Sequence, residues 1–486
     1  MPLLTPGRRW QPAYFPFKRE PLSRRLLAAL ERAVKGPLFG CRMCGNCLLQ
    51  ETAFICPMEC PKGLRNGPCG GSLPERCYVD ETRPCVWYHI YKRSEAMGRS
   101  DKLLEVLPPL DWDKVGTETW GDIVSQIRRV GVRRTVGGLT SRDPSRRAAA
   151  WDAIFTPVRQ PNWWQGDALY HPPAYQEPIS ELERRLRAGE FVVTAEMTPP
   201  LGASTDKLVE TLASIRGWVA AVNFTDSASA MPRMSSLACS AIAAQQGVEP
   251  VLQIAARDHT RTGIQSEIMG ANALGIRNVL CLSGDHARMG APPYGRSDIV
   301  DLDSVQILWM LRRMRDEQMY LDQRAIKTPP RLFLGAAASP GASEARFQAL
   351  REQKKINAGA QFLQTNLIFD IERLEIWLDA LARRNVLDKV HIIVGVALLK
   401  SLKSAQYMHE HVPGVRIPET IFKRLEAAGD AAGEEGVQIT LELIAAVRRF
   451  PGIHGVHLVT IGRESLLPRI IAEAGLASQI GVATMG

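Results

Sequence analysis

Eight of the ten cysteines lie between Cys41 and Cys85, spaced C-x2-C-x2-C-x8-C-x3-C-x8-C-x7-C-x7-C. Small thiols packed in a core do not require such density. Four thiolates complete one tetrahedral zinc site or ligate one [4Fe–4S] cluster, so Cys41, Cys44, Cys47, Cys56, Cys60, Cys69, Cys77 and Cys85 supply two closed sites. The C-x2-C-x2-C run suits three corners of a cubane better than a zinc knuckle, and Cys56-Pro57 and Cys60-Pro61 are similar to the Cys-Pro ends of bacterial ferredoxin motifs. Two [4Fe–4S] clusters are therefore the favoured reading, with zinc as the alternative. The choice matters, because zinc cannot change oxidation state and could only scaffold. Spacing alone does not say which four cysteines share a site.

A second set of polar residues stands at the ends of apolar runs further along the chain. FVVTAEM closes on Glu196, and a carboxylate at the end of a buried run is costly to desolvate unless it is used or paired. NFTDSASA offers Asn223, Thr225 and Asp226, and the next run ends in Arg257-Asp258-His259, where the Arg–Asp pair also reads as a rim salt bridge. NVLCLSGD ends in Ser283-Gly284-Asp285, a turn that lets backbone approach a ligand while one carboxylate points inward. Lys354 and Lys355 are adjacent on a helix, a solvated surface unless the pocket holds a phosphorylated cofactor. Gln364, Thr365 and Asn366 lie in the sixth run. Two carboxylates in different surroundings can divide acid and anion roles.

These positions need a frame, and the pattern from residue 181 supplies one. Short apolar runs recur at intervals of about thirty residues, alternating with helical periodicity as βα units require. They are FVVTAEM (191–197), AAVNFTD (220–226), PVLQIAA (250–256), NVLCLSG (278–284), LFLGAAA (332–338), FLQTNLI (362–368), HIIVGV (391–396) and GVHLVTIG (455–462). Eight such units predict a (β/α)8 barrel over 181–486, with chemistry on the loops after the strands. A doubly wound sheet would need a Gly-rich first turn, which EMTPPLGAS is not. The long interval 285–331 predicts an extra helix near DSVQILWMLRRMRDEQ, and 397–454 a second insertion with IPETIFKRLEAAG.

Residues 1–90 form the cysteine-rich metal module, introduced by a helix whose Leu22, Leu26, Leu27, Leu30 and Val34 should pack against it. Residues 91–180 read as a connector anchored by Trp112, Trp120, Trp151, Trp163 and Trp164. The 486 residues allow two to four domains, and 45% hydrophobic residues suffice for a full core. No run of eighteen uncharged apolar residues exists and MPLLTPGRRW lacks a signal-peptide stretch, so a cytoplasmic location is expected, where thiols stay reduced. The net charge of +9 is scattered rather than gathered with aromatics. This argues against nucleic acid as a partner and suits anionic cofactors or an acidic electron carrier.

The stretch from about 180 to the end resembles the methylenetetrahydrofolate reductase family through EMTPP, NFTDSASA, GANALGIRNVLCLSGD, KKINAGAQFLQTN and VPGVRIP, in that order. The N-terminal CRMCGNC, CPMECPKGLRNGPCGG and CVW resemble the iron–sulfur partner subunit of acetogen-type reductases of the same family. The resemblance implies a flavin, FAD or FMN, in the barrel, with Glu196 as the acid that protonates N10 of the folate. It implies that Asp285 sits beside flavin and pterin, that Lys355 and its neighbour Lys354 meet flavin phosphates, and that Asn223, Thr225 and Asp226 belong to the flavin site. Thr365 lies beside a folate contact. Against the enterobacterial branch, Gln253 replaces a histidine, Ser283 an arginine, Ala338 a tyrosine, Asn366 a glutamine and Met408 a phenylalanine. These changes touch flavin, folate or nicotinamide contacts and spare the acid, which speaks against direct use of NADH.

The expected activity is interconversion of 5,10-methylenetetrahydrofolate and 5-methyltetrahydrofolate, with electrons relayed through the N-terminal clusters from ferredoxin or another reductase. The rival reading is a folate-binding barrel that passes a methyl group to a corrinoid protein, with the cysteines holding structural zinc. Neither reading fixes the oligomeric state.

Overall fold

The computed structural model describes residues 20–293, 300–342, 344–412 and 414–477; the N-terminal MPLLTPGRRW lies outside them. Eight parallel strands close into a barrel in sequence order: β1 (Val192–Met197), β2 (Ala221–Phe224), β3 (Pro250–Ala255), β4 (Asn278–Leu282), β5 (Phe333–Ala338), β6 (Phe362–Leu367), β7 (His391–Ala397) and β8 (Ile453–Val459). Every one falls on a run read from the sequence.

Among the described residues five α-helices precede the barrel: α1 (Leu22–Phe39), α2 (Val86–Ala96), α3 (Trp120–Val130), α4 (Val132–Leu139) and α5 (Pro144–Arg159). A sixth, α6 (Glu181–Arg187), closes the barrel floor with Leu182 and Leu186. The strands are then wrapped by α7 (Asp206–Ile215), α8 (Ser236–Gln245), α9 (Arg261–Ala273), α10 (Ser304–Asp316), α11 (Ala345–Asn357), α12 (Ile371–Ala382), α13 (Leu402–His411), α14 (Glu419–Ala428), α15 (Ala432–Val447) and α16 (Leu467–Glu473). The helix expected as an extra between β4 and β5 is α10, the single α-helix of that crossover among the described residues. The second insertion is present as α14.

The two-residue period of a strand sorts the barrel interior into layers. The floor is apolar, with Val192, Ala221, Val251, Leu280, Phe333, Phe362 and Ile393 packed together. Phe333 and Phe362 stack at 5.0 Å, and Gly335 leaves room for the Phe362 ring, which a Cβ there would meet at 2.1 Å. Two residues on, the layer turns polar: Asn223 donates to Gln364 at 2.9 Å, and Thr194 Oγ1 pairs with His457 Nδ1 at 2.9 Å. Two further on come Glu196, Thr225, Gly284 and Asn366, at the mouth.

The cysteine-rich module sits on that mouth, held by apolar and polar contacts. Trp87, Tyr88, Ile90 and Tyr91 of α2 bury against Phe347 and Leu350 of α11, with Tyr91 and Phe347 rings 5.3 Å apart. Each such ring pair contributes about 0.5–1.5 kcal/mol beyond its area. The cap of α10 adds specificity. Asp303 Oδ1 accepts the Val305 and Gln306 amides, and its Oδ2 accepts the Arg65 amide at 3.1 Å and Asn66 Nδ2 at 2.9 Å. One carboxylate thus starts a barrel helix and ties down the loop between Cys60 and Cys69.

Two packing expectations need correction. Helix α1 forms, but Leu22 (71% exposed), Leu26 (63%), Leu30 and Val34 face outward, and the buried positions are Ala28, Glu31 and Lys35. The reason is electrostatic: Lys35 bonds Glu31 at 2.5 Å and Thr119 at 2.8 Å, and Glu31 accepts the Thr119 amide, so that pair sets the inward face. Of the five tryptophans in the connector only Trp164 is fully buried, while Trp112 is exposed and donates to Asp301 at 2.8 Å.

Candidate active site and cysteine quartets

A cavity of about 270 Å³ opens at the C-terminal mouth of the barrel, between the strand ends and the cysteine-rich module. Its volume is slightly below the roughly 300 Å³ at which ligand pockets begin. Thr225, Asp226, Gln253, Ser283, Gly284, Asp285, Lys355 and Asn366 line the barrel side, and Lys62, Cys69, Gly70, Gly71 and Tyr78 line the module side. Eight barrel residues read from the sequence as site positions are therefore brought together, with Cys69 across from them, and the module forms a wall that sequence reading did not foresee.

The carboxylate of Asp285 is held from two sides. Tyr78 Oη donates to Oδ1 at 3.2 Å and the Ser229 amide to Oδ2 at 2.8 Å. Burial, reinforced by the Asp285 charge, raises the Tyr78 pKa, so its hydroxyl keeps the proton it donates. Gly284 adopts a positive φ of 70°, placing its carbonyl where Lys62 Nζ donates to it. Arg257 bonds Asp258 and also donates to the carbonyls of Asp285 and Ser227, so this pair is more than a rim bridge: it braces the turn beneath the cavity.

Asp226 lines the cavity but is engaged structurally, accepting the Ala255 amide at 2.8 Å and His259 Nε2 at 3.0 Å. Lys355 is fully buried, pairs with Glu352 at 2.9 Å and donates to the Ala337 carbonyl; burial above all, then Arg351, lowers it to about 8. Thr225 Oγ1 and Asn366 Oδ1 are buried in the wall without hydrogen-bond partners, two polar atoms that a ligand would satisfy.

Other expected residues lie elsewhere. Asn223 sits one layer below, bonded to Gln364. Lys354 points away, toward Asp303, Glu105 and Glu51, and burial lowers it to about 8. Thr365 falls on the odd register of β6 and so faces outward, where its hydroxyl accepts the Gly395 amide at 2.9 Å. Met408 is buried in the helical shell on α13.

Glu196 stands at the β1 end of the same mouth, outside the cavity wall and partly exposed. Its Oε2 is 3.7 Å from Nε2 of His457, whose Nδ1 meets Thr194. His457 carries no obvious motif, since its partners are more than 260 residues away in sequence. Its only signal is strand parity, which puts residue 457 on the inner face with 194.

The eight cysteines separate into two quartets. Cys41, Cys44, Cys47 and Cys56 line one buried pocket, and each of Cys41 and Cys56 lies within electrostatic reach of the other three or of Cys44 and Cys47. Cys60 and Cys85 in turn sense Cys69 and Cys77. Burial pushes the Cys41 and Cys60 thiols up to about 12. Two cations attend the first quartet: Lys35 Nζ is 3.7 Å from Cys47 Sγ, and buried Arg65 lies beside Cys44. Cys69 of the second quartet lines the barrel cavity. All ten cysteines are free thiols. Among the described residues no three His, Cys, Asp or Glu side chains converge closely enough to hold a metal ion. Among the same residues no helix is long and apolar enough to cross a membrane.

Comparison with known proteins follows these two parts. A family model described as "Methylenetetrahydrofolate reductase" matches residues 181–475, and one described as "Methylene-tetrahydrofolate reductase C terminal" matches 21–113, beyond the boundary at 90 read from the cysteines. A 5,10-methylenetetrahydrofolate reductase of Pectobacterium carotovorum subsp. carotovorum is 21% identical over 313 residues, 63% of this chain and 96% of that protein. That of Salmonella typhimurium is 22% identical over 296 residues, 59% and 92% respectively. Among solved structures, a Clostridium thermocellum protein that binds two copies of 5-methyl-5,6,7,8-tetrahydrofolic acid aligns with a TM-score of 0.42 at 15% identity, over 62% of this chain and 99% of that one.

Proposed function

We propose that this chain, which belongs to the methylenetetrahydrofolate reductase family of oxidoreductases, interconverts 5,10-methylenetetrahydrofolate and 5-methyltetrahydrofolate on a flavin, with electrons entering through its cysteine-rich module. One observation carries this reading: Glu196 and Asp285 stand at the ends of β1 and β4 around one barrel mouth, beside a cavity whose wall holds unpaired polar atoms.

The side chains that line the mouth supply groups that a flavin, FAD or FMN, would use. Thr225 Oγ1 and Asn366 Oδ1 offer hydrogen bonds to a polar ring edge, and Lys355 with Arg351 offers positive charge for a phosphate. A flavin held there would supply hydride chemistry toward the exocyclic methylene of the folate. Asp285, fixed by Tyr78 and Ser229, presents its remaining lone pairs to the pterin N–H groups. Glu196 donates a proton to N10 as the five-membered ring opens. His457 and Thr194 stand behind it, a hydroxyl–imidazole pair able to orient Glu196 and return its proton.

The module also fits iron–sulfur clusters. Two groups of four thiols are the number that two cubanes require, and Lys35 and Arg65 would offset the negative charge of the first. Such clusters would supply single-electron transfer from a partner protein. Cys69 belongs to both the second quartet and the cavity wall, which makes that quartet the one nearest the barrel ligand.

The test is anaerobic addition of 5-methyltetrahydrofolate to purified protein. A yellow protein whose flavin absorbance bleaches is expected, and Glu196→Gln should slow bleaching about 10²-fold or more while flavin stays bound. A colourless protein that still binds folate would replace the reductase reading with methyl transfer. An unchanged rate in the variant would remove Glu196 from the chemistry.

A further inference from the structure

The cysteine-rich module does more than cover the barrel mouth. Tyr78 follows Cys77 directly, yet its hydroxyl reaches 207 residues along the chain to Asp285 Oδ1 at 3.2 Å. Its ring lies 6.0 Å from the Lys62 ammonium, which itself donates to the Gly284 carbonyl. The tyrosine is also tethered from behind: its amide donates to Ser72 Oγ at 3.2 Å, and that hydroxyl lies 3.2 Å from Cys69 Sγ. A continuous chain of polar contacts therefore runs from the second quartet through Ser72 and Tyr78 to Asp285.

We propose that Tyr78 is a positioning residue for Asp285, so that the folate-binding carboxylate of the barrel is set by a side chain the module inserts. This rests on the reductase reading above. An ionised carboxylate has about four acceptor positions. Tyr78 occupies one on Oδ1 and the Ser229 amide one on Oδ2, which fixes the plane of the group and leaves acceptor capacity for a ligand. Tyr78 and the pterin then bind Asp285 together rather than in turn. Without the hydroxyl, Oδ1 loses its only protein donor among the described residues, and the carboxylate turns about its own bond. A hydrogen bond to a charged group has an effect of about tenfold or more on an equilibrium.

The experiment measures the dissociation constant of 5-methyltetrahydrofolate with full-length holoprotein for wild type, Tyr78→Phe, Asp285→Asn and the double variant, alongside KM and kcat. Tyr78→Phe is expected to weaken binding about tenfold with Asp285 present, and by less than about twofold in the Asp285→Asn background. KM should rise with kcat little changed. Equal weakening in both backgrounds would mean that Tyr78 acts through packing alone and would overturn the proposal. Unchanged binding would overturn it too, and tighter binding would show that Tyr78 competes with the ligand. Ser72→Ala, which keeps the tyrosine and removes its tether together with the contact to Cys69, serves as the second variant should Tyr78→Phe fold poorly; it should weaken binding in the same direction, and binding equal to wild type would count against the proposal. Wild-type protein that takes up no folate would refute the reductase reading itself, a result separate from any of these.

Discussion

The division of the eight cysteines into Cys41, Cys44, Cys47, Cys56 and Cys60, Cys69, Cys77, Cys85 makes a prediction that spacing could not. Two cubanes give about eight irons per chain. The perturbation is a set of double alanine replacements, used in pairs because three remaining thiols can retain a partial cluster. Cys41→Ala with Cys56→Ala strikes one quartet and should leave about four irons, as should Cys77→Ala with Cys85→Ala. Cys41→Ala with Cys77→Ala leaves three thiols in each quartet, so it should alter the spectra of both clusters while keeping more iron than either within-quartet pair. Iron and sulfide analysis with EPR of the anaerobically purified chain reads the outcome. The two within-quartet variants should also differ in kind. Loss of the second quartet removes Cys69's partners at the cavity wall, so electrons from a partner protein should no longer reach a bound flavin, while a small chemical reductant still reduces it. If Cys41→Ala with Cys56→Ala strips more than half the iron, the partition is wrong. If wild type holds zinc and no iron, the electron-relay reading fails altogether, because zinc has no accessible second oxidation state.

Two pH dependences follow from buried groups. Lys355, lowered to about 8 mainly by burial, loses its charge near that pH, so affinity of the apoprotein for a flavin phosphate should fall between about pH 7 and about pH 9, and Lys355→Met should flatten the profile; a wild-type profile already flat would remove Lys355 from anion binding. His259 is raised to about 10 by its hydrogen bonds to Asp226 and then Glu267, with burial opposing. A raised histidine contributes stability that is fully present below its ordinary 6.5 and is lost as pH rises through about 10. The urea midpoint of wild type should therefore approach that of His259→Gln across that window, and a constant gap between them would show that the imidazole is not charged in the folded chain.

Local pattern alone set much of this protein. The eight apolar runs, their spacing and the intervening helical periodicity determined a closed parallel barrel, because strand and helix preferences depend on neighbours within a few residues. The two-residue strand period then carried Glu196, Thr225, Gly284 and Asn366 to the mouth. The same parity turned Thr365 outward, to the Gly395 amide. Cysteine count and spacing set the N-terminal module apart from the barrel and gave the expectation that it binds metal.

What sequence did not hold was decided by contacts between distant segments. The partition of the cysteines depends on how irregular loops, without a repeating period, cross in space. The face that α1 buries was chosen by the Glu31–Lys35 pair and Thr119, against its own leucine stripe. His457 reached Thr194 and Glu196 only because β8 closes on β1, and Tyr78 reached Asp285 only because Asp303 and the aromatic cluster of α2 seat the module over the mouth. Such pairings are selected by closure of the whole chain, where shape and charge must agree across more than two hundred residues at once, so no short window of sequence encodes them.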